Sequence, residues 1–150
     1  MTEDGKFFVD TNILLYSLNS NEPLKLDLTR EWMKHLWASG RGRLSWQVIH
    51  EFYKNSVDKL GVPKAVARHS VERFVEWNPH GPSLATIQRA WHWSDTAQVN
   101  FWDALIVASA EQAGCQWLLS EDFQTGRRFG SVTVVSPFRQ PPTEFGFPGR

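Results

Sequence analysis

The chain has 150 residues, 41% of them hydrophobic and 13% aromatic, which is enough apolar material to bury one core and little more, so one compact domain is expected. Sixteen basic and 16 acidic side chains cancel, so no net charge draws it to nucleic acid or membrane, and such binding has to come from uneven charge distribution. The lone Cys115 rules out an internal disulfide framework and a cysteine zinc site, and no run reaches the ~18–20 apolar residues of a membrane span.

In chain order, Phe7 to Val9 reads as a short strand, followed by the turn Asp10-Thr11-Asn12 and a short helix carrying Ile13, Leu14, Leu15 and Leu18. From Leu24 to Ser39, Leu28, Trp32, Met33, Leu36 and Trp37 recur at intervals of three and four, and Gly40 stands where that helix should stop. A short strand is expected about Arg43 to Ser45, and Ser45 suits the cap of a helix over Trp46 to Leu60 that Gly61 ends. Pro63 opens another helix with Ala67, Val71, Phe74 and Val75 on one face, broken by Asn78-Pro79-His80-Gly81-Pro82. A further helix spans about Leu84 to Ala97.

Asn100 to Ala113 leaves almost no polar face, so this helix is expected to be buried nearly all round. Trp117 to Leu119 and Ser131 to Val135 complete the strands. Strands alternating with helices imply an α/β fold around a small parallel sheet, because parallel neighbours need long crossover connections. Residues 1–138 are expected to form the domain, and 139–150, with three prolines and two glycines, an irregular tail over the surface pinned by Phe145 and Phe147. The start MTEDGK lacks a signal peptide's apolar stretch, so a cytoplasmic protein is expected.

Three acids fall at element junctions: Asp10 after the first strand, Asp103 at the start of the apolar helix, and Asp122 after the Trp117 to Leu119 strand. Ligands gather at the carboxyl ends of parallel strands, so these acids are able to meet in one crevice. Each also has a plain structural reading. Asp10 suits a turn that bonds its own backbone, Asp103 the first turn of a helix capped by Asn100, and Asp122 a solvated cap with Glu121 facing water. Glu51 points away from the buried Ile49, Phe52, Ser56 and Leu60 stripe and reads by itself as a surface glutamate.

The string Phe8-Val9-Asp10-Thr11-Asn12-Ile13-Leu14-Leu15-Tyr16 resembles the first motif of PIN-domain ribonucleases, in particular the VapC toxins of bacterial toxin–antitoxin pairs. Further motifs follow in order: Glu51 in Gln47 to Phe52, Asp103 in Asp103 to Ala108, Asp122 in Ser120-Glu121-Asp122, and the ending Val134 to Phe138. The resemblance covers about residues 6–138. It implies a three-layer fold and an acidic pocket for Mg2+ or Mn2+ formed by Asp10, Glu51, Asp103 and Asp122. Asn12 and Ser120 match the polar positions beside the first and fourth acids, where hydrogen bonds orient carboxylates; Asn12 also suits an ordinary cap. The implied activity is metal-dependent endoribonuclease cleavage leaving a 5′-phosphate and a 3′-hydroxyl. The implied partners are RNA, a small antitoxin protein and a second copy of the chain.

Hard cations take oxygen ligands, so Asp and Glu suit Mg2+ where His and Cys do not. At ~6 Å and an effective dielectric of ~20, each carboxylate pair repels by about 2.8 kcal/mol, and four acids carry six such pairs, about 17 kcal/mol together. That rivals the ~5–15 kcal/mol stability of a domain, so either a proton or a cation has to relieve the pocket.

Without those four acids the chain keeps 16 basic and 12 acidic residues, a net +4 on which a phosphate backbone can dock. Arg41 with Arg43, and Arg127 with Arg128, are candidates to flank the cleft, with solvated loops as the plain reading. Core packing is the expectation for Trp102, base stacking the alternative. Among the eight tryptophans, Trp93 falls off the Leu84, Ile87, Trp91 stripe and is the favoured interface residue. The five histidines lie in no catalytic spacing and are expected mostly at the surface. Gly40 to Ser45 follows a helix, which excludes a dinucleotide loop, and no P-loop or nucleophile elbow is present. The alternatives to a toxin are a stand-alone RNA-processing nuclease and a non-catalytic binding domain with a vestigial pocket.

Overall fold

Bulky residues fix the centre of the sheet: β1 (Phe7–Val9) is completely buried, which requires both of its faces to be covered. The computed structural model describes residues 5–149; residues 1–4 of the MTEDGK segment and Arg150 of the tail lie outside the described residues. β1 runs between β2 (Gly42–Arg43) and β3 (Trp117–Leu119), parallel to both. β3 pairs in parallel with β5 (Val132–Val135), and β4 (Arg128–Phe129) adds an antiparallel edge, giving the order β2-β1-β3-β5-β4. The wholly parallel sheet expected from the alternating pattern thus gains one antiparallel edge strand. Its hairpin turns on Gly130-Ser131, with Gly130 at a φ of 60°, the geometry glycine supplies at the first position of a two-residue turn.

The helices are α1 (Thr11–Tyr16), α2 (Pro23–Ser39), α3 (Trp46–Asp58), α4 (Lys64–Phe74), α5 (Leu84–Ala97) and α6 (Phe101–Gln112). Gly40 ends α2 in the left-handed region, and the Ser45 hydroxyl caps α3 by accepting the Val48 N–H at 3.3 Å. α5 and α6 pack through Ala90, Ala104 and Ala108, all fully buried small residues that let the two backbones approach. α6 is buried from Ile106 to Ala110, but its first turn opens on a pocket and leaves Trp102 66% exposed. The expectation of a helix buried all round, with Trp102 in the core, is therefore corrected.

β2 approaches an aromatic cluster in which Trp77 packs on Trp37 and Phe74 at centroid distances of 4.8 and 5.2 Å. A methyl group on Gly42 would lie 2.7 Å from the Trp77 ring. Gly42→Ala should therefore cost about 1–3 kcal/mol through overpacking, read as a lower urea midpoint; an unchanged midpoint would show that the ring yields freely.

The last residues are part of the core. Phe145 and Phe147, each 7% exposed, pack around Phe7 and Trp32, and the Trp32 Nε1–H donates to the Gln140 carbonyl at 3.1 Å. Arg41 is 9% exposed, its guanidinium donating to the Gly5 carbonyl at 2.6 Å and the Phe145 carbonyl at 3.2 Å while lying over Phe147. It ties the tail to the sheet, and is neither the cleft-flanking arginine nor the solvated loop arginine that the sequence left open. Arg43 bonds the Gly40 and Gly42 carbonyls. Among the described residues, no helix is long and apolar enough to cross a membrane.

Candidate active site

Register builds the site. Val9 pairs with Leu119, so Asp10 and Ser120 leave the carboxyl ends of β1 and β3 side by side, joined by the Asp10 N–H to the Leu119 carbonyl at 2.9 Å. Asp10 caps α1, its Oδ1 accepting the Thr11 N–H at 2.8 Å, and its Oδ2 accepts the Ser120 hydroxyl at 2.7 Å. Ser120 Oγ in turn accepts the Asp122 N–H at 3.1 Å, so one fully buried serine connects two of the acids. Asp103 stands in the first turn of α6, its N–H donating to the Asn100 side chain and its Oδ2 accepting from the Asn100 amide, both at 2.9 Å. Glu51 projects from α3, and its Oε1 lies 3.4 Å from the Thr11 hydroxyl that donates to it. The turn reading of Asp10 and the first-turn reading of Asp103 thus hold together with a shared pocket.

One cavity of about 210 Å3 is lined by Asp10, Glu51, Asp103 and Asp122, with Thr11 and Asn12 between them. Asp10 is 5% exposed, and burial raises its carboxyl to about 7. The charges of Asp122 and Glu51 push the same way, while the hydrogen bonds from Ser120 and Thr11 partly offset the rise. Asp103 is also raised, by burial first and then by Asp122, against its bond from Asn100. Burial outweighs the repulsion between carboxylates in both shifts, and the neighbouring charges add to it.

The donor set fits a hard cation: four carboxylates and the buried Asn12 Oδ1, an oxygen acceptor with no hydrogen-bond partner that lines the same cavity. Among the described residues, no three Asp, Glu, His or Cys side chains are arranged to hold a metal ion directly. Among the described residues, no hydrogen bond from the Asn12 amide orients Asp10, contrary to what the resemblance implied; the Ser120 hydroxyl is the side-chain donor there.

The sequence reading missed Thr11, Gln47 and Asn55. Gln47, Glu51 and Asn55 recur at four-residue spacing on the exposed side of α3, and that polar stripe was the available signal. Glu121 does not simply face water, because the Tyr16 hydroxyl donates to it at 2.5 Å and Lys25 at 2.7 Å. Arg127 is spent on the Ala97 carbonyl at 2.6 Å, whereas Arg128 is exposed. Trp93, expected at an interface, packs edge-on against Phe129 and donates to Glu111 at 2.6 Å; Trp91 is the exposed one. His50, His69 and His92 are exposed, as expected of most histidines, His35 is buried beside Glu31, and no histidine lines the acidic cavity.

A mostly parallel α/β sheet whose carboxyl edge opens on a four-carboxylate pocket is the architecture of the PIN-type class. The PIN domain model matches residues 7–128, and the chain belongs to that family. Its fold is similar to the crystal structure of Mycobacterium tuberculosis VapC20, described as a sarcin-ricin loop cleaving toxin. The TM-score is 0.57 and the identity 21%, over 78% of this chain and 92% of that one. No curated protein matches the chain significantly.

Proposed function

We propose that the protein is an endoribonuclease dependent on Mg2+ or Mn2+ and the toxin of a toxin–antitoxin pair, held inactive by a small antitoxin and acting as a homodimer. One observation carries the nuclease reading: four acids from four separate stretches of sequence line a single cavity at the sheet's carboxyl edge. Membership of the PIN family supports it, and the likeness to a toxin structure motivates the pairing.

Asp10, Glu51, Asp103 and Asp122 would hold the ion. When bound, it supplies a water of lowered pKa and charge stabilisation at phosphorus. The protein's own part is orientation. Thr11 N–H and Ser120 Oγ–H fix both oxygens of Asp10, and the Asn100 amide fixes Asp103. Ser120 also holds the backbone that presents Asp122. The anionic cluster repels a phosphate until a cation offsets its charge, which makes substrate binding and metal binding interdependent.

The test is cleavage of structured and single-stranded RNA by purified protein, with the product ends identified. EDTA should reduce cleavage to background, excess Mg2+ or Mn2+ should restore it, and products should carry 5′-phosphate and 3′-hydroxyl ends. Cleavage that persists in EDTA, or 2′,3′-cyclic ends, refutes the reading.

A further inference from the structure

Trp102, next to Asp103 in the first turn of α6, is 66% exposed and gives up most of the burial that makes tryptophan favourable in a core. Trp46, 38% exposed at the start of α3, lines with it a second, wider cavity of about 680 Å3 that also contains Gln47, Glu51 and Pro82. Gln47, Glu51 and Trp102 are shared with the acidic cavity, so the two are continuous. Two indole rings therefore stand beside a carboxylate cluster and line the wider cavity that opens from it.

Resting on the nuclease reading, we propose that Trp102 and Trp46 form a base-binding subsite that stacks an unpaired nucleobase of the RNA next to the phosphate being cut. The charge distribution favours this occupant. No lysine or arginine lines either cavity among the described residues, and Arg41, Arg43 and Arg127 donate to backbone carbonyls, so cationic phosphate contacts are scarce beside the anionic pocket. Stacking supplies affinity without opposing those carboxylates and accepts any base, because every base has a flat π-face. It also selects for unpaired nucleotides, since a base inside a duplex has no free face to offer. Gln47, at the boundary of both cavities, carries a donor and an acceptor that can meet a base edge.

The experiment measures binding of a fluorescent 12-nucleotide single-stranded RNA by anisotropy in Ca2+ and separately in EDTA, alongside cleavage in Mg2+. Trp102→Ala and Trp46→Ala should each weaken binding by about 10- to 100-fold, and Trp102→Phe should recover most of it. With an abasic nucleotide at the cut position, wild type and Trp102→Ala should bind alike, a coupling that a loss of folding cannot produce. In cleavage the loss should fall on KM more than on kcat. Unchanged RNA binding in both alanine variants overturns the proposal. So does RNA binding that is retained while self-association or binding of a protein partner is lost, which assigns the face to a protein interface. Tryptophan-dependent RNA binding without cleavage by wild type supports the subsite and sinks the nuclease reading, so the two fail separately.

Discussion

Asp10→Asn is expected to lower RNA cleavage by at least about 100-fold, ~2.7 kcal/mol in the barrier, and yet to stabilise the EDTA-treated protein. Both effects follow from one carboxylate. Its pKa rises from 3.8 in the unfolded chain to about 7 when folded, because burial outweighs the two hydrogen bonds it accepts. Below about pH 4 both states hold the proton and folding loses nothing. Between about 4 and 7 the unfolded chain ionises while the folded one stays protonated, so stability falls as the pH rises. Above about 7 the full penalty of a three-unit rise is present, about 4 kcal/mol at ~1.4 kcal/mol per unit. Asparagine removes the charge and keeps the shape: its carbonyl oxygen can accept the Thr11 N–H, and its amide can donate to Ser120 Oγ.

Urea midpoints of wild type and Asp10→Asn, compared from pH 4 to pH 8 in EDTA, isolate this group, because Asp103 titrates in both. The two should coincide at pH 4 and diverge in the variant's favour by pH 8. Mg2+ should then raise the wild-type midpoint and leave the variant's nearly unchanged, since ligand binding to the folded state alone stabilises it by mass action. Parallel pH profiles, or cleavage by the variant at the wild-type rate, remove Asp10 from the centre of the site.

Local signals carried most of the fold. Periodicity placed the long helices, Gly40 and Gly61 marked stops, and the Ser45 cap is where its position implied. What escaped depended on partners distant in sequence. β4 is two residues long and exists only through its pairing with β5, although Gly130-Ser131 between two strand-forming pairs is a hairpin signal. The direction of Glu51 was correct, opposite the buried stripe, but only the docking of α1 against α3 turns that exposed side into a pocket wall. Trp102 was misread because apolar composition cannot distinguish a helix turn facing the core from one facing an open cleft. Arg41 was misread for the complementary reason: its partners are carbonyls, which every residue carries and no sequence pattern advertises. Asp10, Asp103 and Asp122 were legible because each follows a strand or opens a helix, and Glu51 only through the family resemblance, but their convergence is a property of sheet register and helix docking.

Truncation after Phe138 is expected to abolish independent folding, even though the removed residues carry no long helix or strand. The segment returns to the amino ends of β1 and β3, where Phe145 lies 5.3 Å from both the Phe7 and the Trp117 ring. Replacing a buried phenylalanine by alanine costs about 3–5 kcal/mol, so losing Phe145 and Phe147 together removes about 6–10 of the ~5–15 kcal/mol a domain possesses. Truncation also deprives Trp32 Nε1–H of its acceptor and Arg41 of the Phe145 carbonyl. The boundary of the folding unit then belongs near residue 147 rather than at 138. Circular dichroism and NMR dispersion of residues 1–138 should report an unfolded or molten chain, and Phe145→Ala should lower the full-length stability by about 3–5 kcal/mol. Because this cluster sits at the end of the strands opposite Asp10 and Ser120, Phe147→Ala protein that remains folded should keep its kcat for RNA. A 1–138 fragment with the full-length urea midpoint would place the tail outside the core's energetics.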